Sequence, residues 1–427
     1  MSLTIKHLNT DASFLLTFQP ILPFPPTPGQ SRNFTIVIDP WLSGPSNIIH
    51  PFFSSTKNKE ASCISSLTEL PEPNLIIISQ SMPDHCHKST LTTLPKHGGK
   101  FLILAEPSAA KLIRSWKHFD PSQVLTLKEW TKPKNNTSST NIHHISLPPL
   151  TTQGSPGEIT ITLLKEGDAS GLKNAIAITY LPPTSGIDLD LDLLTPPSSP
   201  FSPTHPNSST TSIQHPTSNS PQTLSLLHIP HGISLPTLLP FLTSHHPPPN
   251  TNTNTNPFLP LTALLHCFDT IQNPKWLGGN ICTGAPSGIP IAERLQAKLW
   301  ISAHDGDKEV KGVANKKLRI RRWERGEIAE RVSPRVGTFG GRDGDGNGDG
   351  TGGTEVLVLG AGEERVVGLG GLWAERMGGS GSGIGRGVGA LSPGSWDMGI
   401  GDGDETEVEM ESESVGIGNG NVKFHAS

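Results

Sequence analysis

Asp84, His85, Cys86 and His87 stand side by side shortly after a short apolar run, Leu75–Ile78, in the stretch LIIISQSMPDHCHK. Imidazole and carboxylate together suit a borderline cation such as zinc. The apolar run is short and rich in β-branched residues, which reads as a buried central strand. Side chains at the carboxyl edge of such a strand project into a shared cleft, so this strand feeds a packed set of metal-ligand types. The plainer alternative is a strand-end turn in which Asp84 caps the following helix and His85 packs on it.

The elements that must position these residues follow from hydrophobic patterning. Ser13–Phe18 and Phe34–Ile38 read as strands around a Pro-rich turn, with Asp39 closing the second. A short helix is expected near Leu91–Lys96, a strand at Phe101–Ala105, and a helix from Pro107 to about His118, where proline suits the first turn. Ile142–Leu147, Glu158–Leu164, Ala175–Tyr180, Leu224–Ile229, Leu261–Phe268 and Leu299–Ser302 continue the strands, with helices at Leu235–Leu242 and Pro290–Lys298. Strands with few helices make a mixed α/β chain that can close as a layered sheet.

Composition separates the core from its padding. With 33% hydrophobic residues, 45 glycines and 40 prolines in 427 residues, the chain holds long stretches that cannot build a core. We expect one domain over 1–323, carrying a disordered insertion at about 186–221 and a low-complexity loop at 247–257. Residues 324–365 read as a Gly-rich segment with a possible last strand at 355–359, and 366–427 as a disordered acidic Gly-rich tail. A net charge of −5 gives no sign of a nucleic-acid partner, and the basic run Lys316–Arg325 reads as a surface patch at most. No apolar run approaches membrane-spanning length, the N-terminus lacks a secretory pattern, and four scattered cysteines fit reduced thiols, so a cytoplasmic setting without membrane contact is expected.

Several segments together resemble the metallo-β-lactamase superfamily. They are Asp39-Pro40-Trp41-Leu42-Ser43-Gly44-Pro45-Ser46, Ser79–His87, Pro230-His231-Gly232-Ile233, Leu265-His266-Cys267-Phe268-Asp269 and Ile301-Ser302-Ala303-His304-Asp305, in the family's order. The nearest likeness is to its fungal type with an SQ…DHCH run, and more distantly to the lactonase-like branch. The resemblance implies an αββα sandwich. In the family's H-x-H-x-D-H signature two leading histidines help to hold a first metal, while the Asp-His pair, a bridging Asp and a final His hold a second. Here Gln80 and Met82 occupy the two leading places, and neither amide nor thioether is a good zinc donor.

What the resemblance leaves is one site. Asp84 and His85 keep the second-site pair, His304 follows the strand KLWIS where the final ligand is expected, and His231 stands where the bridging Asp would be. Asp84, His85, His231 and His304 would then hold one divalent metal, with zinc the best match, and His87 as a fifth candidate. One metal suffices for hydrolysis of an ester, lactone, thioester or phosphoester of a small-molecule substrate, because it lowers the pKa of bound water and polarises the scissile group. Asp84 would take part in catalysis, and His87, His266 or Lys308 would serve the leaving group. The rival expectation is a degenerate member that keeps the fold and only binds. Asp39 reads as a turn-capping residue, His143 and His144 as surface residues, Cys86 as a free buried thiol, and Trp41, Trp276 and Trp300 as core or pocket walls.

Overall fold

Leu75–Ile78 is buried at all four positions because parallel neighbours flank it on both sides, Phe34–Ile38 and Leu102–Ala105. Around this trio an eight-stranded sheet runs in the order Gly371–Leu372, Glu364–Gly368, Ser2–His7, Phe14–Gln19, Phe34–Ile38, Leu75–Ile78, Leu102–Ala105, Val124–Thr126. A seven-stranded sheet faces it, in the order Glu355–Leu357, Leu299–Ser302, Ala263–His266, Leu224–Ile229, Asn174–Leu181, Gly157–Lys165, His143–Leu147. The computed structural model describes residues 1–21, 33–132, 141–167, 171–186, 223–244, 256–277, 279–333, 353–368 and 371–372.

The layers follow from the period of two along each strand. Leu75 and Ile77 point inward and join Leu224, Leu226, Ala263 and Leu265 in a core between the sheets. Ile76 and Ile78 point outward onto the helix Pro107–Ser115 through Ala109, Ala110 and Ile113. On the other side Leu227, Ile229 and Leu264 meet Leu238 and Phe241 of helix Leu235–Thr243, Ile291 and Ala292 of helix Ala285–Leu295, and Ile328 of helix Arg325–Val332. Helix, sheet, sheet, helix is the expected αββα order. Strands Phe34–Ile38 and Leu75–Ile78 of one sheet, and Leu224–Ile229, Ala263–His266 and Leu299–Ser302 of the other, are parallel within their sheets. The segments that follow their carboxyl ends come together along one edge, where sites of open parallel sheets lie.

Several expectations shift against the structure. The short helix begins at Lys88 and ends at Leu91, directly after His87, rather than at Leu91–Lys96. The later helix is Ala285–Leu295, not Pro290–Lys298, because a proline in its first turn starts it earlier and Gln296 ends it in the left-handed conformation. The ordered sandwich does not stop at residue 323 or 365. Arg325–Val332 buries Ile328 and Val332, and Glu364–Gly368 pairs with Ser2–His7, burying Val367. The pairing of Glu364–Gly368 covers an edge of Ser2–His7 that would otherwise stand open. Trp276 is 72% exposed and forms no wall of the core, unlike Trp41 and Trp300. Most of the expected insertion (187–221), of the loop (247–255) and of the tail (373–427) lies outside the described residues.

Candidate metal centre

Strand parity brings the polar residues to one edge. Ser79 continues the inward phase of Leu75 and Ile77, and His228 that of Leu224 and Leu226, so both meet the carboxylate of Asp39 between the sheets. Asp39 Oδ1 accepts from the Ser79 backbone N–H at 2.7 Å, and Oδ2 accepts from Ser79 Oγ at 2.5 Å. Oδ2 also receives His85 Nδ1 at 2.9 Å and His228 Nε2 at 3.0 Å. Asp39 has φ 45° and His304 φ 72°, left-handed conformations that non-glycine residues adopt at a cost. The His304 turn is fixed by its backbone N–H donating to Asp11 O at 2.8 Å.

His85, His231 and His304 converge, all buried, with one donor atom each lying within 4.8 Å of the other two. Each Nδ1 faces an acceptor: Asp39 Oδ2 for His85, Ile281 O at 3.2 Å for His231, and Asp11 Oδ2 at 3.1 Å for His304. Nδ1–H donation to these acceptors sets the tautomer and turns each Nε2 lone pair inward. His85 Nε2 and His231 Nε2 then lie 3.1 Å apart. Two lone pairs at that separation repel unless a proton or a cation sits between them. Nitrogens on one tetrahedral zinc, with bonds of 2.0–2.1 Å, are roughly 3.3 Å apart, so the donor set fits such an ion.

Electrostatics agree with this geometry. Burial alone would raise the Asp39 carboxyl, but the charge of His85 and the hydrogen bonds from His228 and His85 hold it well below the usual range. Asp11 is likewise held down against burial by His304 and by Lys308, whose Nζ lies 2.8 Å from Oδ1. Burial, reinforced by the charge of His85, pushes His231 down to about 3. Burial also takes His304 to about 4, with Lys308 and His231 adding to it and Asp11 opposing. His85 goes the other way: burial opposes its charge, but Asp39 and Asp84 outweigh it and raise the imidazole. One proton on His85 and two neutral partners is the state expected of a cluster that a cation can enter by displacing that proton.

The expected residues fall in distinct places. His85, His231 and His304 meet; Asp84 lies beside them, its Oδ2 3.9 Å from His304 Nε2 and its side chain 18% exposed. His87 is buried and lies outside the cluster, Nδ1 on Thr90 Oγ1 at 2.9 Å and its ring centroid 6.3 Å from that of Trp41. His266 is not brought to the cluster, and the leaving-group role expected of it is not carried forward. It has the outward phase of Leu264, packs on Trp300, and spends its nitrogens on Cys267 O at 2.7 Å and Ser287 Oγ at 3.2 Å. Gln80 is 2% exposed, and neither atom of its amide finds a partner among the described residues.

Sequence reasoning missed Asp11 and His228 and gave Asp39 only a capping role. His228 carried a usable signal, an imidazole at an inward position of LSLLHI. Asp11 carried none beyond a polar turn before a strand. Cys282, whose Sγ lies 3.5 Å from His231 Nδ1, was also passed over.

No family model matches the chain, and no curated protein matches it. Solved structures do. A metallo hydrolase of the hyperthermophilic archaeon Ignicoccus hospitalis is 10% identical, with 86% of this chain and 100% of that chain covered and a TM-score of 0.40. An isothiocyanate hydrolase from Delia radicum gut bacteria is 15% identical over 85% and 98% of the two chains, TM-score 0.42. The metallo-β-lactamase fold protein YhfI of Bacillus subtilis is 10% identical over 86% and 99%, TM-score 0.38.

Proposed function

We propose that this chain is a metal-dependent hydrolase that works with one divalent ion, zinc by preference, held by His85, His231 and His304 with Asp84 beside them. The observation that carries this reading is the 3.1 Å approach of His85 Nε2 to His231 Nε2 with both Nδ1 atoms already facing acceptors. Charge supports it: with a divalent ion in place of the His85 proton, the carboxylates of Asp11, Asp39 and Asp84 are balanced by the ion and Lys308. When bound, such an ion supplies Lewis acidity and a lowered pKa for water.

The chain's own residues do the rest. Asp39 and Asp11 orient His85 and His304, and Asp39 also gathers Ser79 and His228, so the ligand shell is fixed before substrate arrives. Asp84, partly open to solvent and 3.9 Å from His304 Nε2, would take and return a proton at Oδ2 in the hydrolysis of an ester, lactone, thioester or phosphoester. His87, held by Thr90 Oγ1, would serve the leaving group. Four free cysteines, three of them buried, suit a reducing, cytoplasmic setting, and no described helix is long and apolar enough to cross a membrane.

A second reading has one observation in its favour. Gln80 and Met82 stand where two further ligands are expected, and the buried Gln80 amide has no partner among the described residues, as in a site that has lost half its machinery. That reading is a binding protein without catalysis. Elemental analysis of the purified chain separates the two, followed by a panel of esters, lactones, thioesters and phosphoesters with His85→Ala as the control. Bound metal with turnover lost in that variant supports the hydrolase; a metal-free chain without turnover supports the binder.

A further inference from the structure

The chain carries a net charge of −5, yet the charged residues lining one pocket on it are all cations. Lys316, Lys317 and Arg319, with the Gln272 amide and with Asn273, Pro274 and Leu318, line a half-open pocket of about 540 Å³, and no carboxylate lines it. The pocket is built on a small antiparallel sheet, Asn280–Cys282, Thr270–Gln272 and Arg319–Arg321. Neighbouring cations are already engaged: Arg322 pairs with Asp307 at 2.8 Å, and Arg321 lies over the Trp323 ring at 3.9 Å. Lys316, Lys317 and Arg319, all exposed, have no acidic partner within ion-pair reach among the described residues. Beside them Trp276 leaves 72% of its surface in solvent, with Lys317 Nζ 5.3 Å from its ring centroid.

We propose that this pocket binds a nucleotide, free or at the end of a nucleic-acid strand. The cations would take the phosphate, the amides the edge of the base, and the indole its flat face. The volume falls within the range of small-ligand sites. Its position ties it to the metal centre. Ile271 pairs with Cys282, whose Sγ lies 3.5 Å from His231 Nδ1, and Gln272 of the pocket wall is the next residue along. At about 3.3 Å per residue the pocket begins on the order of 10 Å from the histidines.

Resting on the hydrolase reading, this selects a phosphoester as the substrate class, in which the phosphate held by the pocket cations is not the scissile one but anchors a second phosphoester group at the histidines. Water oxygen forms the new P–O bond, the P–O bond to the leaving alcohol breaks with its electron pair on that oxygen, and a proton from water neutralises it. Binding to the pocket does not depend on that reading, which makes the two separable.

The test is fluorescence anisotropy of a labelled adenosine monophosphate on metal-stripped full chain at low salt. Lys317→Glu and Arg319→Glu, both surface changes, should each weaken binding roughly tenfold or more, the loss of one charge-assisted hydrogen bond, with unchanged melting. Trp276→Ala should weaken it while leaving competition by inorganic phosphate intact. No binding, or equal binding by both charge reversals, overturns the proposal. So does displacement by inorganic phosphate as effective as by unlabelled nucleotide. A short single-stranded oligonucleotide that binds more tightly than the mononucleotide assigns the strand end; equal binding assigns the free nucleotide. His85→Ala should keep the binding. Nucleotide binding by a wild-type chain that hydrolyses no phosphoester would leave the pocket standing and remove the substrate assignment.

Discussion

His85 and His266 are both fully buried near the carboxyl ends of parallel strands, and they have opposite fates. His266 faces helix Ala285–Leu295 and satisfies both nitrogens on Cys267 O and Ser287 Oγ, so nothing further is asked of it. His85 satisfies one nitrogen on Asp39 and points the other at the equivalent nitrogen of His231. Burial alone therefore says little about a histidine's role. What separates a packing imidazole from a ligand is whether its second nitrogen ends on a partner or on another lone pair.

The sharpest way to break that contrast is to remove each ring. His85→Ala should abolish high-affinity zinc binding, measured by competition with a chromophoric chelator. His266→Ala should leave zinc affinity unchanged and cost about 1–3 kcal/mol in denaturant unfolding, because it strands a buried hydrogen-bonding partner. Equal losses of zinc affinity in the two variants would erase the distinction.

A smaller effect is expected one shell out. Asp39→Asn keeps the shape but removes the charge that His85 and His228 share, and should lower zinc affinity by roughly 10–100-fold. No change would mean that Asp39 merely closes a turn.

Acidity probes the same shell. The raised His85 pKa means that its proton stabilises the metal-free fold fully below pH 6.5 and that this contribution is lost as pH rises through the folded pKa. His231 and His304, lowered to about 3 and about 4, are already neutral at these pH values. Zinc entry near pH 6.5 should therefore release close to one proton, from His85, as read by calorimetry in buffers of different ionisation heat. Release of two or more would show that a second histidine is protonated in the free site.

The smallest effect concerns the other half of the motif. Gln80→Met replaces a buried amide that has no partner among the described residues by an apolar side chain of similar length, and should leave zinc affinity alone while gaining about 1 kcal/mol in unfolding. A loss of zinc affinity would show that the amide serves the site.

Much of this was legible beforehand, for identifiable reasons. Leu75–Ile78 and Leu224–Ile229 were read at their true bounds because continuous apolar runs of strand length leave few alternatives. Ser2–His7 was missed although it alternates regularly and pairs with the nearby Phe14–Gln19, because only Leu3 and Ile5 are apolar on its inward face and its second partner, Glu364–Gly368, lies more than three hundred residues away. The family resemblance marked out Asp84, His85, His231 and His304, but not which faces they share. That depended on strand phase, which also sends His266 the wrong way. Asp11 reaches His304 across the molecule, and local sequence carries no trace of such a contact.

The central claim is that three inward-facing imidazoles form a site for one divalent ion, and metal stoichiometry tests it most directly. Purified full-length chain, stripped with chelator, dialysed against zinc and assayed by elemental analysis, should hold about one zinc per chain, and His85→Ala should hold none. A native chain that binds no metal, or one whose metal content is untouched by His85→Ala, would contradict it.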